Sequence, residues 1–429
     1  MQLKKILKEK IEEIKPNERE VKQLKKDVKV FIERLNQELA KTKHGGDVFV
    51  GGSFAKNTLI KDGKYDVDVF VRFPWEYDDI SPLLEKVLQK LAKKLGLKME
   101  KLHGSRDYFR IYFSDNAYFE IIPVTKIRKP SEERNVTDLS YFHVSYVKKK
   151  IKGLENQVLL AKSFCQAQKV YGAETYVRGF SGYSLELMVL HYGSFLKMLR
   201  ELVKAEKGTR IILDPGKHYR RKDDVLFELN EAKLQSPVIL VDPTNKDRNA
   251  LASLSRETFE KFQEAARKFL KSPDKVYFSE DDIDLDKLKD LAEKKKAEFI
   301  HVNIRTDRQA GDIAGTKLKK FHYYVESEIK KYFELLKHEF VYSGKQEADF
   351  YMIVKSKKEI IQLGPPMYTK RLRKHIQAFK EAHRGRTFVK DNMIYARIPV
   401  DFSGKEFIEK INRDKDKLNE MGITEMKVG

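Results

Sequence analysis

One cysteine and one tryptophan occur among 429 residues. The single cysteine, Cys165, excludes an internal disulfide and any zinc site built from several cysteines. It stands in the apolar run Leu159-Leu160-Ala161-Lys162-Ser163-Phe164-Cys165 and reads as core filler rather than a nucleophile. No stretch approaches the ~20 apolar residues of a membrane-spanning helix. The start, Met1-Gln2-Leu3-Lys4-Lys5, lacks an apolar signal-peptide core, so the expected location is the cytoplasm, with no membrane partner. Internal repeats and low-complexity tails are also missing. Acidic residues are the scarcer charge: Asp+Glu number 65 against 86 Lys+Arg, a formal net charge of +21. That excess fits a polyanionic partner such as RNA. A lysine-rich soluble surface is the plainer alternative, since charged residues reach 35%. The length predicts about three domains.

What is present is concentrated between Val48 and Val71. The apolar stretch Val48-Phe49-Val50 runs into Gly51-Gly52-Ser53-Phe54-Ala55-Lys56-Asn57-Thr58, and Tyr65-Asp66-Val67-Asp68-Val69-Phe70-Val71 follows. Residues i and i+2 of a strand share a face. Asp66 and Asp68 therefore project together, while Val67 and Val69 enter a core. Adjacent carboxylates in an apolar strand repel one another and lose hydration, a cost that a divalent cation between them removes. The Gly-Gly-Ser turn can bring backbone N–H groups and a hydroxyl to phosphate, above all where it opens a helix. Metal beside phosphate is what phosphoryl or nucleotidyl transfer requires. Separately, an Asp-x-Asp pair can be a solvated sheet face, and Gly-Gly-Ser a simple turn. A third carboxylate, Glu120, is the lone charge in the strand-like run Ala117-Tyr118-Phe119-Glu120-Ile121-Ile122-Pro123-Val124. Inside a sheet it must be paired or metal-bound; at an edge it could reach water.

These residues resemble the nucleotidyltransferase superfamily typified by DNA polymerase beta. Its signature is Gly-Ser, a spacer, two alternating acidic residues and a later acidic residue in an apolar strand. Downstream, Val170-Tyr171-Gly172-Ala173-Glu174, Val177-Arg178-Gly179-Phe180-Ser181-Gly182-Tyr183-Ser184-Leu185-Glu186-Leu187 and Val241-Asp242-Pro243-Thr244-Asn245-Lys246-Asp247-Arg248-Asn249 look like the archaeal (class I) CCA-adding enzymes. The resemblance covers nearly the whole chain and thins after about residue 255. It implies untemplated addition of C, C and A to the 3′ end of tRNA from CTP and ATP. The carboxylates Asp66, Asp68 and Glu120 would hold two Mg2+ ions. Glu120 departs from the aspartate usual in the family, and its extra methylene changes the reach to the metal. The resemblance further implies that Gly52, Ser53, Lys56, Lys162 and Tyr171 bind the nucleotide triphosphate. Lys56 replaces a family arginine, keeping the charge but losing the bidentate fork. His143, after Asp138-Leu139-Ser140-Tyr141-Phe142, is placed near the incoming nucleotide. Arg248 is the candidate for reading the base, through donors aimed at base-edge acceptors. The bland alternatives are a solvated Lys162, core positions for Tyr171 and His143, and an Arg248 that pairs with Asp242 or Asp247. Arg305 lies where the family carries an arginine at a strand end.

The expected fold class is α+β: a polymerase-beta-like nucleotidyltransferase sheet, a helical central domain and C-terminal α+β RNA-binding domains. The expected domains are 1–135, N-terminal helices plus catalytic head; 136–255, a mainly helical nucleotide-binding neck; and 256–429, a tRNA-binding body and tail. Helices are predicted at 2–14 and about 18–41, Ser81–Leu95, Leu154–Val170, Ser181–Leu202, 255–270, Asp284–Lys296, Lys317–His338 and Lys370–Ala382. Strands are predicted at Asp107–Phe113, Ala117–Val124, Pro237–Val241, Phe299–Ile304 and Asp349–Val354, and residues 208–240 read as an exposed loop leading to the third of these. The basic cluster of Lys370, Arg371, Arg373 and Lys374 suits the phosphates and 2′ hydroxyls of an A-form stem; a solvated basic helix is the alternative. A poly(A) polymerase, an oligoadenylate synthetase relative and an inactive RNA-binding protein are the competing functions. Whether the chain forms a homodimer is left open.

Overall fold

Alternation along Tyr65–Phe73 sorts the side chains of that strand. Val67, Val69 and Val71 are fully buried, whereas Asp66 is exposed and Asp68 half-buried. In this computed structural model, which describes residues 2–61, 63–279, 283–368 and 370–429, that strand is β2. Its sheet also holds β1 (Asp47–Val50), β3 (Lys98–Leu102), β4 (Tyr108–Ser114) and β5 (Ala117–Thr125), in the order β1-β2-β5-β4-β3. β2 and β5 run parallel, and the other neighbours are antiparallel. Two helices, α2 (Glu18–Leu39) and α4 (Ser81–Leu95), bury the apolar face. Phe31 and Leu35 of α2 join Leu84, Leu88 and Leu91 of α4 over Val67, Val69, Phe109, Ile111, Phe119 and Ile121. Asn17 caps α2 by accepting from the Glu20 amide, after Pro16 has ended α1 (Gln2–Ile14). Pro82 opens α4, and left-handed Gly96 ends it.

The chain divides into two compact units, one of residues 1–173 with 177–280, the other of residues 174–176 with 281–429. The first continues beyond the sheet with α5 (Ser140–Lys150), α6 (Glu155–Ala167), α7 (Gly182–Tyr192), α8 (Phe195–Leu202), α9 (Asp224–Glu228) and α10 (Arg256–Lys271). A small sheet of β6 (Ile211–Leu213), β7 (Val238–Asp242) and β8 (Asn245–Asn249) completes it. Cys165 is fully buried in the helical core beside Phe164, Phe195 and Phe262, and burial pushes its thiol well above the ordinary range.

The second unit contains α11 (Leu285–Lys295), β9 (Glu298–Arg305), α12 (Asp312–Tyr332), β10 (Phe333–Tyr342) and β11 (Glu347–Ser356). It continues through β12 (Glu359–Pro366), α13 (Arg373–Ala382), β13 (Thr387–Lys390), β14 (Met393–Pro399), α14 (Gly404–Arg413), α15 (Lys415–Glu420) and β15 (Glu425–Val428). One sheet has the order β10-β11-β9-β15 and another β12-β14-β13. Leu318, Phe321, Val325 and Ile329 of α12 and Ile408 of α14 cover one face of the first sheet. Among the described residues, no helix is long and apolar enough to cross a membrane.

The structure departs from the sequence expectations at several element boundaries. The long helix expected through His338 stops at Tyr332, and Phe333–Tyr342 is a strand paired antiparallel with β11 from Ser356 back to Ala348, with a bulge at Leu336. Glu334-Leu335-Leu336-Lys337-His338-Glu339 has good local helix propensity, but the available edge of β11 outweighs it. The expected helix from Ser181 to Leu202 is two, because Gly193 adopts a left-handed conformation and Ser194 caps the next helix. Within the expected loop of 208–240 lie β6 and α9.

Candidate active site

The pairing of β2 with β5 brings the three carboxylates together. Asp68 sits opposite Glu120 in the parallel register, with Asp66 two residues back on the same face. β5 is the central strand of the five, so Glu120 is not at a sheet edge. Glu120 is half-buried and accepts a hydrogen bond from Arg110 at 2.5 Å, Arg110 being its register partner on β4. Burial alone would lower the Arg110 pKa, but the Glu120 carboxylate reverses this and holds the guanidinium firmly charged. Asp68 has no such compensation. Burial, then the charges of Asp66 and Glu120, push its carboxyl up to about 7, against the opposing pull of Lys56 and Lys162. Three hard oxygen donors on one face, one of them unable to ionise easily by itself, suit a divalent cation.

The Gly-Gly-Ser turn is built against Asp68. The Gly51 amide donates to the Asp68 carbonyl oxygen at 2.9 Å, and Gly52 opens the four-residue helix α3 (Gly52–Ala55). Gly52 has φ +58°, and a Cβ there would lie 1.6 Å from Asp68 Oδ2. The backbone around Ser53 is therefore packed on the carboxylate with no room for a side chain at position 52. The Thr58 amide returns to the Ser53 carbonyl at 2.9 Å and closes the loop.

The basic residues of the site share one buried anion. Lys56 Nζ donates to Glu186 Oε2 at 2.6 Å, and Lys162 Nζ lies 3.6 Å from Glu186 Oε1. Lys162 also donates to the Thr58 hydroxyl at 3.2 Å and the Thr58 carbonyl at 3.3 Å. Glu186 is fully buried in α7, and burial lowers the Lys162 pKa against its pull. The sequence marks Glu186 as the lone charge in Leu185-Glu186-Leu187-Met188-Val189, yet only the packing of α7 against α6 and the Ser53 loop reveals its partners. Lys162 is thus a buried ion-pair residue rather than a solvated one. Tyr171 Oη and Lys162 Cε flank the first residue of α7, Gly182. A Cβ on Gly179 would lie 2.1 Å from the Val170 carbonyl oxygen, so the Arg178–Tyr183 motif can pair there with the segment carrying Tyr171.

A second buried anion, Asp242, organises the other candidates. Arg248 Nη1 donates to Asp242 Oδ2 at 2.7 Å, and Tyr183 Oη donates to Oδ1 at 2.9 Å. His143 Nε2 lies 3.0 Å from Oδ2, without the alignment of a hydrogen bond, and its ring stacks on Tyr183 with centroids 4.1 Å apart. Burial alone would raise the Asp242 carboxyl, but the adjacent His143, Arg248 and the Thr244 amide hold it well below the carboxylate range. Burial lowers the His143 pKa, against Asp242. Arg248 also borders a cavity of about 510 Å³ lined by Glu133, Asn135, Ala173, Ser181 and Lys233. The sequence had offered Asp242 to Arg248 only as a scaffolding partner; the wider network with Tyr183 and His143 is visible only in the fold.

The remaining candidates lie in the second unit. Arg305 ends β9 and pairs with Glu347 at 2.9 Å and Glu425 at 3.7 Å on the two flanking strands. Arg371 precedes α13, whose first turn carries Arg373 and Lys374, and all three are exposed. The side chain of Lys370 lies outside the described residues.

Known proteins match both halves of the first unit. The family described as "tRNA nucleotidyltransferase, second domain" matches residues 156–279. The "Second Messenger Oligonucleotide or Dinucleotide Synthetase domain" matches residues 1–156. A CCA-adding enzyme of Nanoarchaeum equitans is 44% identical over 223 residues, which span 52% of this chain and about half, 54%, of that protein. One from Methanosarcina acetivorans is 31% identical over 87% of this chain and 80% of its own length. One from Methanocaldococcus jannaschii is 26% identical over 97% of this chain and 91% of its own length. The resemblance carried by Asp66, Asp68 and the Arg178–Tyr183 motif thus extends along nearly the whole sequence, and the chain belongs to the family of archaeal CCA-adding enzymes, the tRNA nucleotidyltransferases.

Proposed function

We propose that this chain adds C, C and A in turn to the 3′ end of tRNA, using CTP and ATP and releasing pyrophosphate, without a nucleic-acid template. The observation that carries this reading is similarity to CCA-adding enzymes sustained over 87% of the chain, with three carboxylates on one face of the sheet beside buried lysines.

Asp66, Asp68 and Glu120 are the catalytic carboxylates and the residues that hold metal. Two bound Mg2+ ions would lower the pKa of the RNA 3′ hydroxyl and neutralise the leaving pyrophosphate. Arg110 orients Glu120 through their hydrogen bond. Gly52 lets the Ser53 loop approach the carboxylates, and Ser53, Lys56, Lys162 and Tyr171 receive the triphosphate. Glu186 holds both lysines in place, so their charge is positioned before substrate arrives. Arg248, steadied by Asp242, offers its remaining donors to the base, with His143 beside it. Residues 1–135 serve as the catalytic head, 136–255 as the nucleotide-binding neck and 256–429 as the tRNA-binding part. Within the last, Arg305, Lys370, Arg371, Arg373 and Lys374 meet the RNA backbone. The cytoplasm is the proposed location.

The match of residues 1–156 to a second-messenger oligonucleotide synthetase domain supports a second reading, synthesis of short oligonucleotides without tRNA. The match of residues 156–279 to a tRNA nucleotidyltransferase domain favours the first. Mass analysis of a tRNA lacking its 3′ CCA, after incubation with CTP, ATP and Mg2+, separates them. Stepwise gains of C, C and A support CCA addition. An unchanged tRNA accompanied by free oligonucleotides would replace that reading with the second.

A further inference from the structure

His322 is fully buried in the second unit, and neither of its ring nitrogens has a hydrogen-bond partner. A neutral imidazole presents one donor and one acceptor. Leaving both unmet in a core is unusual enough to need a physical cause. His322 lies on α12, and Glu326 follows one turn later on the same helical face. His338 arrives from β10, with its ring parallel to that of His322 at a centroid distance of 5.5 Å. His338 Nδ1 is 3.7 Å from Glu326 Oε2. One ligand atom from each of the three side chains lies within 4.8 Å of the others. We propose that His322, Glu326 and His338 form a binding site for one divalent transition-metal cation of the zinc class, remote in sequence and different in chemistry from the Asp66–Asp68–Glu120 carboxylates.

The donor set selects the metal. Two imidazole nitrogens and one carboxylate oxygen suit Zn2+, whereas Mg2+ demands a nearly all-oxygen octahedron. Coordination gives at least one stranded nitrogen of His322 a partner. Lys330 donates to Glu326 Oε1 at 2.5 Å. Oε2 is thereby left to face His338, and the lysine orients the ligating carboxylate from behind. Phe340 and Phe350 pack beside the His322 ring at 5.3 and 5.2 Å and form an apolar wall. Zinc–ligand bonds of about 2.0–2.2 Å put ligand atoms roughly 3.5 Å apart, so the three atoms, within 4.8 Å of one another, must close up by about 1 Å. His338 and Glu326 can supply that movement, since their side chains remain 33% and 12% exposed. The cation would then pin β10, the edge strand of its sheet, to the helix that immediately precedes it.

The test uses the full chain, stripped with a chelator and then held in excess Mg2+ so that oxygen-rich sites are filled. Equilibrium dialysis against Zn2+, read by elemental analysis, should find one zinc per chain. Co2+ in its place should give the visible absorption of a low-coordinate, imidazole-ligated ion, and Zn2+ should abolish it. Glu326→Gln and His338→Gln change partly exposed side chains, and circular dichroism checks their folding. Each should weaken zinc binding by about tenfold or more, at least the effect of losing an outer ligand partner, and remove the zinc-dependent rise in Tm. A double Asp66→Asn, Asp68→Asn variant should keep its zinc. Absence of zinc and of the cobalt absorption from wild-type protein overturns the proposal. So does equal zinc affinity in wild type and both glutamine variants, or loss of zinc from the aspartate variant alone.

Discussion

Gly52 and Asp68 are in such close contact that a Cβ on the glycine would fall 1.6 Å from Oδ2 of the aspartate. The turn proposed to bind nucleotide and the carboxylate proposed to hold metal are therefore one packed unit. Gly52→Ala must displace Asp68 or the Ser53 loop, and it also strains a residue at φ +58°. Single-nucleotide incorporation should fall about 100-fold or more, the effect of misplacing a reacting group by roughly 1 Å. Incorporation within threefold of wild type at saturating CTP would show that the loop can relax.

Asp66→Ala and Asp68→Ala should each abolish incorporation of CTP and of ATP while leaving tRNA affinity nearly intact. Under the proposed function both carboxylates serve one shared metal site, whereas affinity for RNA would come from many phosphate contacts. Gel-shift affinity and radiolabel incorporation on the same preparations check this. Activity for either nucleotide in either variant removes that residue from the metal site.

Asp68 also sets a pH dependence. Its folded-state pKa is raised from 3.8 to about 7, so between those values the native metal-free protein binds more protons than the unfolded chain. Its contribution to stability falls as pH rises through that window and is least favourable above pH 7. In chelator, Asp68→Asn should therefore raise Tm relative to wild type at pH 8 by more than at pH 5. Because metal must displace the proton, Mg2+ binding should release protons near pH 6 and few at pH 8. Thermal unfolding and calorimetry in buffers of different ionisation enthalpy measure both; a pH-independent Tm difference refutes the assignment.

Glu120→Asp should retain measurable activity, and Glu120→Ala should lose nearly all of it. The alanine variant also strands Arg110, whose Nε already has no hydrogen-bond partner, so its Tm should drop as well. Wild-type turnover in Glu120→Ala would reduce the residue to a structural partner of Arg110.

Arg248→Ala should disturb nucleotide choice more than triphosphate binding. Loss of a base-edge donor costs about 1–3 kcal/mol of discrimination, so UTP misincorporation or confusion of CTP with ATP should appear. The 2.7 Å pair with Asp242 makes scaffolding the competing role, and that role lowers Tm with unchanged selectivity. Incorporation of CTP, ATP and UTP on tRNAs ending in the discriminator base, C and CC distinguishes the two.

Local chemistry made part of this protein readable from the chain alone. The two-residue period of a strand placed Asp66 and Asp68 on one face, and β2 carries them so. The Gly-Gly-Ser turn, the Ser255 cap and the stop at Gly96 likewise act within a few residues of themselves. Partnership across the fold was not legible. That Asp68 faces Glu120 depends on the parallel register of β2 and β5. That Lys56 and Lys162 share Glu186, and that Asp242, a partner the sequence already offered to Arg248, also gathers Tyr183 and His143, depends on which helix packs where. Phe333–Tyr342 shows the same limit, since its own residues favour a helix and the edge of β11 makes it a strand. Periodicity and capping are written in neighbouring residues. Ion pairs and strand partners are chosen by burial and register, which arise only when distant segments exclude water together.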